Sequence, residues 1–481
     1  MISKYVREQK RYTQEELCDV FECTEDNAVP LIRKLKEYGV LKAVKASDIQ
    51  RNMSDLMDED IEIADVEIGE NEFLYVFTFV GVIVIAGRVL KCYPKYLLST
   101  DEPKKELRQV LKVLEKYNSK EQIIRMLNDS SESQTFNLLA VLLFLLQDYY
   151  ENGTYNNTEN IIESNGSGEI LWDRTINETF TILFHNRPYY IDLKTKRKTN
   201  DNYDYFKRLH EYILTKASKD LQSADLLDMF EIAEVDLTDE EFDCFGEKEY
   251  ILYQLEKELN TQFNTRKQLV LKTMYAYIAH SGSLYDIDCF SMYGTNSFNL
   301  VWEAVCADIL QNKLQVSLGL LQLPIPLHPQ YDQHQKLLDL IEKPLWTATG
   351  NTAKDTQVPD LITIDRVGKE FHFIIFDAKY YNARLNPGTR PKGQPGIESI
   401  TKQYLYQMAY RQFIIDHGFS VVRNCFLMPT DGDIVIDKGE VSMQMLSSLG
   451  LQNIKVRFLP AAFAYEHYIT GRKMDISLLK L

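Results

Sequence analysis

Apolar and polar positions change their period several times along the chain, and each change predicts a different element. Residues 1–48 follow the helical period. Thr13 and Glu16 form a capping box, Leu17, Val20 and Phe21 share one face, and a second helix after Thr24 carries Val29, Ile32 and Leu35 to a stop at Gly39. A strand over 40–44 can follow. The pattern predicts a winged-helix-like module over 1–50, which either meets DNA through Arg33, Lys34 and Lys36 or packs against protein. Residues 61–97 switch to a strand period. Ile61, Ile63, Val66 and Ile68 alternate with acids, and two apolar runs, 73–80 and 82–85, are divided by Gly81. Helical spacing returns over 101–150, so 51–155 is predicted to be β-rich and then helical. The Asn-, Ser- and Gly-rich stretch 152–168 marks an exposed boundary. Residues 156–290 read as mainly helical, with a hairpin over 180–193 turning on Asn186 and Arg187.

Residues 291–481 alternate helix and strand. Helices are expected at 296–314 and 398–417, and strands at 361–365, 370–379, 421–428 and 454–459. That order suits a mixed central sheet with helices on its faces. The predicted class is therefore a multidomain α+β and α/β chain, divided at 1–50, 51–155, 156–290 and 291–481.

Composition narrows the function classes. At roughly 100–200 residues per domain, 481 residues imply two to four domains. The net charge is −16, so a surface that grips nucleic acid everywhere is excluded, and any such contact is local or shared with a partner. Residues 55–72 hold nine acids and no base, and 225–249 hold eleven acids and one lysine. Such runs ordinarily form solvated faces. The seven cysteines include no CxxC pair and the eight histidines show no ligand spacing, which points to reduced thiols and a cytoplasmic setting. The opening Met1-Ile2-Ser3-Lys4 does not read as a signal peptide. The longest apolar run, 138–146, is far short of the roughly 20 residues that span a bilayer, so a core helix and no membrane partner are expected.

The candidate chemistry lies in Val358-Pro359-Asp360-Leu361 and Phe373-Ile374-Ile375-Phe376-Asp377-Ala378-Lys379. With a turn over 366–369, the two runs pair as a hairpin that sets Asp360 opposite about Ile375, within one or two residues of Asp377. Neighbouring strands lie about 4.8 Å apart, so the two carboxylates converge. Asp377 and Lys379 share a strand face. Two acids and a lysine at the buried end of an apolar strand are costly unless they bind something. A divalent cation suits the acids, and the lysine can orient water or meet developing phosphorane charge. Upstream, Glu303 is a lone acid amid Val301, Trp302, Ala304 and Val305. Downstream, residues 378–411 carry six bases, among them Arg384, Arg390, Lys392 and Lys402, against one acid, Glu398. The Pro- and Gly-rich loop 386–396 could close over a phosphate backbone.

This arrangement resembles the PD-(D/E)XK nuclease superfamily, whose first helix often supplies a glutamate to the metal, here Glu303. The resemblance implies Mg²⁺ held by Glu303, Asp360 and Asp377, with Lys379 completing the catalytic set and Arg384, Arg390, Lys392 and Lys402 meeting DNA. Lys402-Gln403-Tyr404-Leu405-Tyr406-Gln407-Met408-Ala409-Tyr410 is similar to the supporting Gln/Tyr motif of RecB-like and McrC-like nucleases. Gln407 and Tyr410 are three apart where those proteins usually have four, so Gln403 or Gln407 takes the role. The segments around Trp172-Asp173-Arg174 and Arg187-Pro188-Tyr189-Tyr190, with Tyr293-Gly294-Thr295, Trp302-Glu303 and Asp377-Ala378-Lys379-Tyr380-Tyr381, resemble the LlaJI restriction endonucleases, which are McrC-like, over roughly 160–481.

That resemblance implies double-stranded DNA as substrate, an McrB-like AAA+ GTPase as partner, and a partner-binding role for 51–155. GTP would be bound by the partner, since this chain has no GxxxxGK[ST] motif. Two other readings stand beside it: a non-catalytic scaffold or GTPase-activating subunit with a degenerate nuclease fold, and a winged-helix DNA-binding regulator.

Overall fold

The computed structural model describes residues 1–45, 73–117, 137–156, 159–166, 168–185, 187–199, 204–280, 284, 286 and 289–481. The expected alternation at Ile61–Ile68, the acidic run 55–72, part of the boundary stretch 152–168 and Asn186 lie outside them. The described chain is a mixed α/β protein with several small sheets. It forms two compact units: residues 126–291 make up one, and residues 2–125 join 292–481 in the other. The boundary at 291/292 lies within one residue of the division drawn at 290/291 from the sequence pattern, and the boundary at 125/126 falls inside the segment 51–155.

In the larger unit the N-terminal helices form as the caps dictate. Helix Gln14–Phe21 starts at Thr13, whose hydroxyl accepts from the Glu16 amide while the Glu16 side chain returns to the Thr13 amide. Helix Glu25–Glu37 follows, and strand Leu41–Lys45 pairs with Phe73–Phe77, which also pairs with the short strand Arg11–Tyr12. A second sheet runs in the order Ile2–Arg7, Arg88–Tyr93, Val80–Ile85 and Phe290–Thr295, the last belonging to this unit from Met292 on. Gly81 does not divide two strands as expected. The break falls at Thr78–Phe79, and Gly81 lies inside strand Val80–Ile85. A Cβ there would stand 2.1 Å from the Tyr293 carbonyl, and one on Gly294 would stand 2.1 Å from that of Val80. The two glycines let neighbouring backbones approach where no side chain fits.

The C-terminal sheet has five strands in the order Leu361–Val367, Glu370–Ala378, Val421–Thr430, Ile454–Pro460 and Ile436–Val441. Its outer pairings are antiparallel and its two central ones parallel, so it is the mixed sheet that the element order predicts. Helix Ile397–Asp416 packs Tyr406, Tyr410, Phe413 and Ile414 on Ile362, Ile364, Phe373 and Ile375. The strand Ile436–Val441 and the last helix, Ala461–Thr470, were not legible in the pattern. At the chain end, the buried Arg457 donates to the carbonyls of Leu479 and Lys480 and pairs with Asp437 at 2.6 Å.

In the 126–291 unit, the apolar run 138–146 is indeed a core helix, Leu138–Asn152, buried along most of its length. No helix among the described residues is long and apolar enough to cross a membrane. The acidic run 225–249 is the solvated face expected, its acids exposed apart from the half-buried Glu240. Glu240 takes a bidentate pair from Arg208, and Asp236 and Glu241 pair with Lys219 and Lys216 of helix Tyr205–Ser223. The expected hairpin pairs Thr181–Phe184 with Arg187–Tyr190. It exposes apolar residues nearly throughout, including Ile182, Leu183, Phe184 and Tyr189.

His210 lies wholly buried in this unit. Its Nδ1 accepts from the Tyr155 amide at 2.8 Å, and its Nε2 has no hydrogen-bond partner among the described residues. Burial lowers its pKa to about 4. A base lowered in the fold stays neutral there, while the unfolded chain takes up a proton below about 6.5. Its contribution is therefore complete above that value and is lost as pH falls towards 4. We expect denaturant titrations of the wild type to lose about 2 kcal/mol more stability than His210→Gln between pH 7 and pH 4.5. Equal losses in the two proteins would show that His210 does not carry this sensitivity.

Candidate active site

The hairpin register builds the site. Leu361 faces Phe376 and Val367 faces Glu370, which leaves Gly368 and Lys369 as a two-residue turn. Extending the register by one pair sets Asp360 directly opposite Asp377, two residues closer than the longer turn expected from the sequence. On one face the cross-strand pairs run Ile364/Phe373, Ile362/Ile375 and then Asp360/Asp377. The first two pairs fill the core under helix Ile397–Asp416. The two carboxylates thus end an otherwise apolar row.

Both acids are held tightly. Asp360 Oδ2 accepts the Ala378 amide at 2.8 Å. Burial, followed by the charge and hydrogen bond of Asp377 and the charge of Glu303, pushes the Asp360 carboxyl far above the usual carboxylate range against the pull of Lys379. Asp377 is 4% exposed. Its Oδ1 meets the Lys379 ammonium at 2.9 Å and takes no hydrogen bond of good geometry among the described residues. Burial works against the charge on Lys379, yet Asp377 and Asp360 together raise its pKa above the ordinary lysine value. It is therefore a permanent cation at neutral pH.

The supports come from three elements. Strand Glu370–Ala378 continues through the Lys379 amide, which donates to Leu427 O at 2.8 Å; the Trp302 indole of helix Phe298–Ile309 reaches the same carbonyl at 3.3 Å. Glu303 follows Trp302 and lies half-buried. Burial raises its pKa, with Lys379 opposing and Asp377 adding, so it shares the electrostatics of the site. Just past that helix, Asn312 bonds the Asp360 carbonyl and the Ile362 amide, at 3.3 and 3.1 Å. The Tyr406 hydroxyl donates to Val358 O at 3.0 Å. Asn312 was missed in the sequence, because an asparagine does not stand out there, whereas Tyr406 lies within the Gln/Tyr motif quoted for helix Ile397–Asp416.

The two glutamines are used differently. Buried Gln403 donates to Ile375 O at 2.8 Å, and its Oε1 has no hydrogen-bond partner among the described residues. Gln407 Oε1 accepts from Asn424 Nδ2 at 2.8 Å and from the Gln452 amide at 3.0 Å, tying the helix to two further segments. The basic residues proposed for DNA lie in the loop and helix that follow Lys379. Arg384 and Lys392 close the loop through their backbones, and they and Arg390 are exposed. Lys402 pairs with Glu398 at 2.5 Å. Among the described residues, no three His, Cys, Asp or Glu side chains gather closely enough to hold a metal, so Glu303 stands off from the aspartate pair. Two carboxylates, one with an orphaned oxygen, still suit Mg²⁺, which commonly takes one or two protein carboxylates and keeps several waters.

Comparisons with known proteins add family information. The LlaJI restriction endonuclease family matches residues 79–456. Over 423 residues the chain is 25% identical to the type II restriction enzyme BsuMI component YdjA of Bacillus subtilis strain 168, covering 82% of this chain and 81% of that protein. One solved structure, a half-complex of Thermococcus gammatolerans McrB AAA+ hexamers with bound McrC, aligns at a TM-score of 0.35 and 11% identity, covering 98% of this chain and 99% of that one. A cryo-EM structure of the same organism's McrBC complex gives 0.27 and 12%, over 65% and 88%. Likenesses this loose decide nothing about fold or assembly.

The split between the glutamines is measurable by unfolding. Gln407→Leu leaves Asn424 Nδ2 and the Gln452 amide without their acceptor and should cost about 2 kcal/mol. Gln403→Leu removes an orphaned oxygen together with one hydrogen bond and should cost less. The reverse order in denaturant midpoints would refute this assignment.

Proposed function

The chain belongs to the LlaJI restriction endonuclease family, and from that membership and the facing aspartates we propose that it is a Mg²⁺-dependent DNA endonuclease of the PD-(D/E)XK type, working as the McrC-like subunit of a GTP-dependent restriction complex. The observation that carries the reading is the Asp360/Asp377 pair with Lys379 beside it, at the buried end of the hairpin.

The roles follow from charge and position. Asp360 and Asp377 would hold the cation, with Glu303 contributing its charge to the same site. When bound, the cation neutralises phosphate charge and lowers the pKa of a bound water. Lys379, kept protonated by its two neighbours, donates to the scissile phosphate or to the attacking water as the P–O bond breaks. Trp302 and Asn312 hold the strand ends that present these groups. Gln403 steadies the hairpin backbone at Ile375. Arg384, Arg390, Lys392 and Lys402 meet the DNA backbone beside the site.

The partner reading rests on the family resemblance and on two properties of the chain. A net charge of −16 leaves few phosphate contacts, so affinity for DNA alone is weak and salt-sensitive. A partner that carries the DNA raises its effective concentration at the site. The exposed apolar hairpin of the 126–291 unit is a surface that such a partner would cover. An McrB-like AAA+ GTPase is the proposed partner, docking through residues before 290 and hydrolysing GTP faster in this chain's presence. The N-terminal helices with their three-stranded sheet fit a winged-helix-like module, and a cytoplasmic setting fits the whole.

Plasmid cleavage with Mg²⁺, GTP and the GTPase partner tests the assignment. Asp377→Ala and Lys379→Ala should abolish cutting while leaving stimulated GTP hydrolysis intact. Full cutting by Asp377→Ala would falsify the site.

Glu303 has its own signature. Glu303→Gln should slow cutting and raise the Mg²⁺ concentration needed for half-maximal rate. An unchanged Mg²⁺ midpoint would make Glu303 a bystander on its helix.

A further inference from the structure

Strand Arg88–Tyr93 leads into a short segment, residues 94–99, that crosses the ends of three strands of the C-terminal sheet. Lys95, Tyr96 and Leu97 in it are buried. The Lys95 amide points to the Tyr380 hydroxyl at 3.3 Å, just past strand Glu370–Ala378. The Tyr96 hydroxyl donates to that of Tyr465 at 3.0 Å, in the helix that follows strand Ile454–Pro460. Asp431, just past strand Val421–Thr430, accepts the amides of Leu98 and Ser99 at 2.9 and 3.0 Å.

The tightest of these contacts is polar and enclosed. The Tyr380 hydroxyl donates to Glu8 Oε2 at 2.5 Å, and the Lys95 amide reaches the same oxygen at 3.2 Å. The Lys95 ammonium lies 4.4 Å from the Tyr380 ring centre and donates to Gln9 Oε1 at 3.1 Å. Glu8, Lys95 and Tyr380 are each at most 6% exposed. Burying an acid and an ammonium together contributes little to stability compared with well-packed apolar residues. What the cluster does supply is a fixed position for Tyr380.

That position matters because of what precedes it. Side chains alternate along an extended chain. Lys379 turns to Asp377 at 2.9 Å, and Tyr380 turns the other way, to Glu8. The Lys379 amide is itself held by Leu427 O, a carbonyl the Trp302 indole also reaches, and Tyr380 is the side-chain anchor immediately after it. We propose that Tyr380, clamped by Glu8 and Lys95, is a positioning residue for Lys379, so that the N-terminal sheet is a working part of the nuclease site. The inference rests on the nuclease reading above, in which Lys379 acts on the phosphate.

The test uses the full-length chain with its GTPase partner. It measures single-turnover plasmid cutting in Mg²⁺, DNA affinity in Ca²⁺, and the thermal midpoint. Tyr380→Phe keeps the ring and loses the hydroxyl. It should slow cutting by about tenfold or more, since a misplacement of about 1 Å can cost a hundredfold, with DNA affinity unchanged. Glu8→Gln retains an acceptor for the hydroxyl and should recover most of the rate, whereas Glu8→Leu should be as slow as Tyr380→Phe. A folded Tyr380→Phe that cuts at the wild-type rate, beside an inactive Asp377→Ala, overturns this inference and leaves the nuclease reading standing. A rate lost only in proportion to the fraction unfolded overturns it equally. Normal cutting by Asp377→Ala would instead remove the reading beneath it.

Discussion

Two carboxylates brought face to face in a poorly solvated place repel each other, and this conflict organises the C-terminal unit. The hairpin register gives Asp360 and Asp377 no freedom to separate, because the same row of pairs fills the core with Ile362, Ile364, Phe373 and Ile375. Slipping by one residue would turn that whole apolar row to the opposite face. The sheet therefore holds the acids together with the full cooperativity of its core. Three responses to the repulsion are visible. The Asp360 carboxyl clings to its proton, the Ala378 amide bonds one of its oxygens, and Lys379 brings a cation to the other acid. One Asp377 oxygen still lacks a hydrogen bond. A buried polar atom left in that state costs stability, and the Lys379 ammonium at 2.9 Å offsets part of that cost.

The sequence showed this much because the signals are local and periodic. Asp377 and Lys379 follow an apolar run, the hairpin closes over a glycine, and Glu303 is isolated on an apolar helix. The error in register, two residues, arose from the turn: a four-residue loop was assumed where Gly368, at φ +65°, allows two. Gly81 was misread for a similar reason. A glycine between apolar runs signals a break as readily as a close approach, and only its partner Gly294, 213 positions away by number (294 − 81), decides between them. Gln403 and Gln407 stayed ambiguous because one helix face serves both the hairpin and the strand behind it.

What the sequence concealed is chiefly the discontinuity of the larger unit. Residues 126–291 form their own unit between two stretches that fold together. The contacts that join those stretches are side-chain pairs of ordinary type: Glu8 with Tyr380, Tyr96 with Tyr465, Gln109 with the Ala462 carbonyl. Their partners are separated by 353 to 372 positions, far beyond any periodic signal. All three pairs span the 126–291 unit, so no sequence window holds both partners.

The same discontinuity bears on how the site is kept in shape. The entropy of closing a loop rises only slowly with its length, so a long insertion does not by itself prevent the two ends from forming one unit. The cost falls on order of assembly, since the strand ends at Ala378, Thr430 and Pro460 gain their cover only when residues 94–99 arrive. A C-terminal sheet without that cover would expose Tyr380 and Tyr465, both wholly or nearly buried, at the edge where Asp377 and Lys379 sit. The N-terminal residues therefore share one compact unit with the C-terminal sheet. They enclose Tyr380 beside Lys379 and so complete the solvent boundary of the sheet on that side.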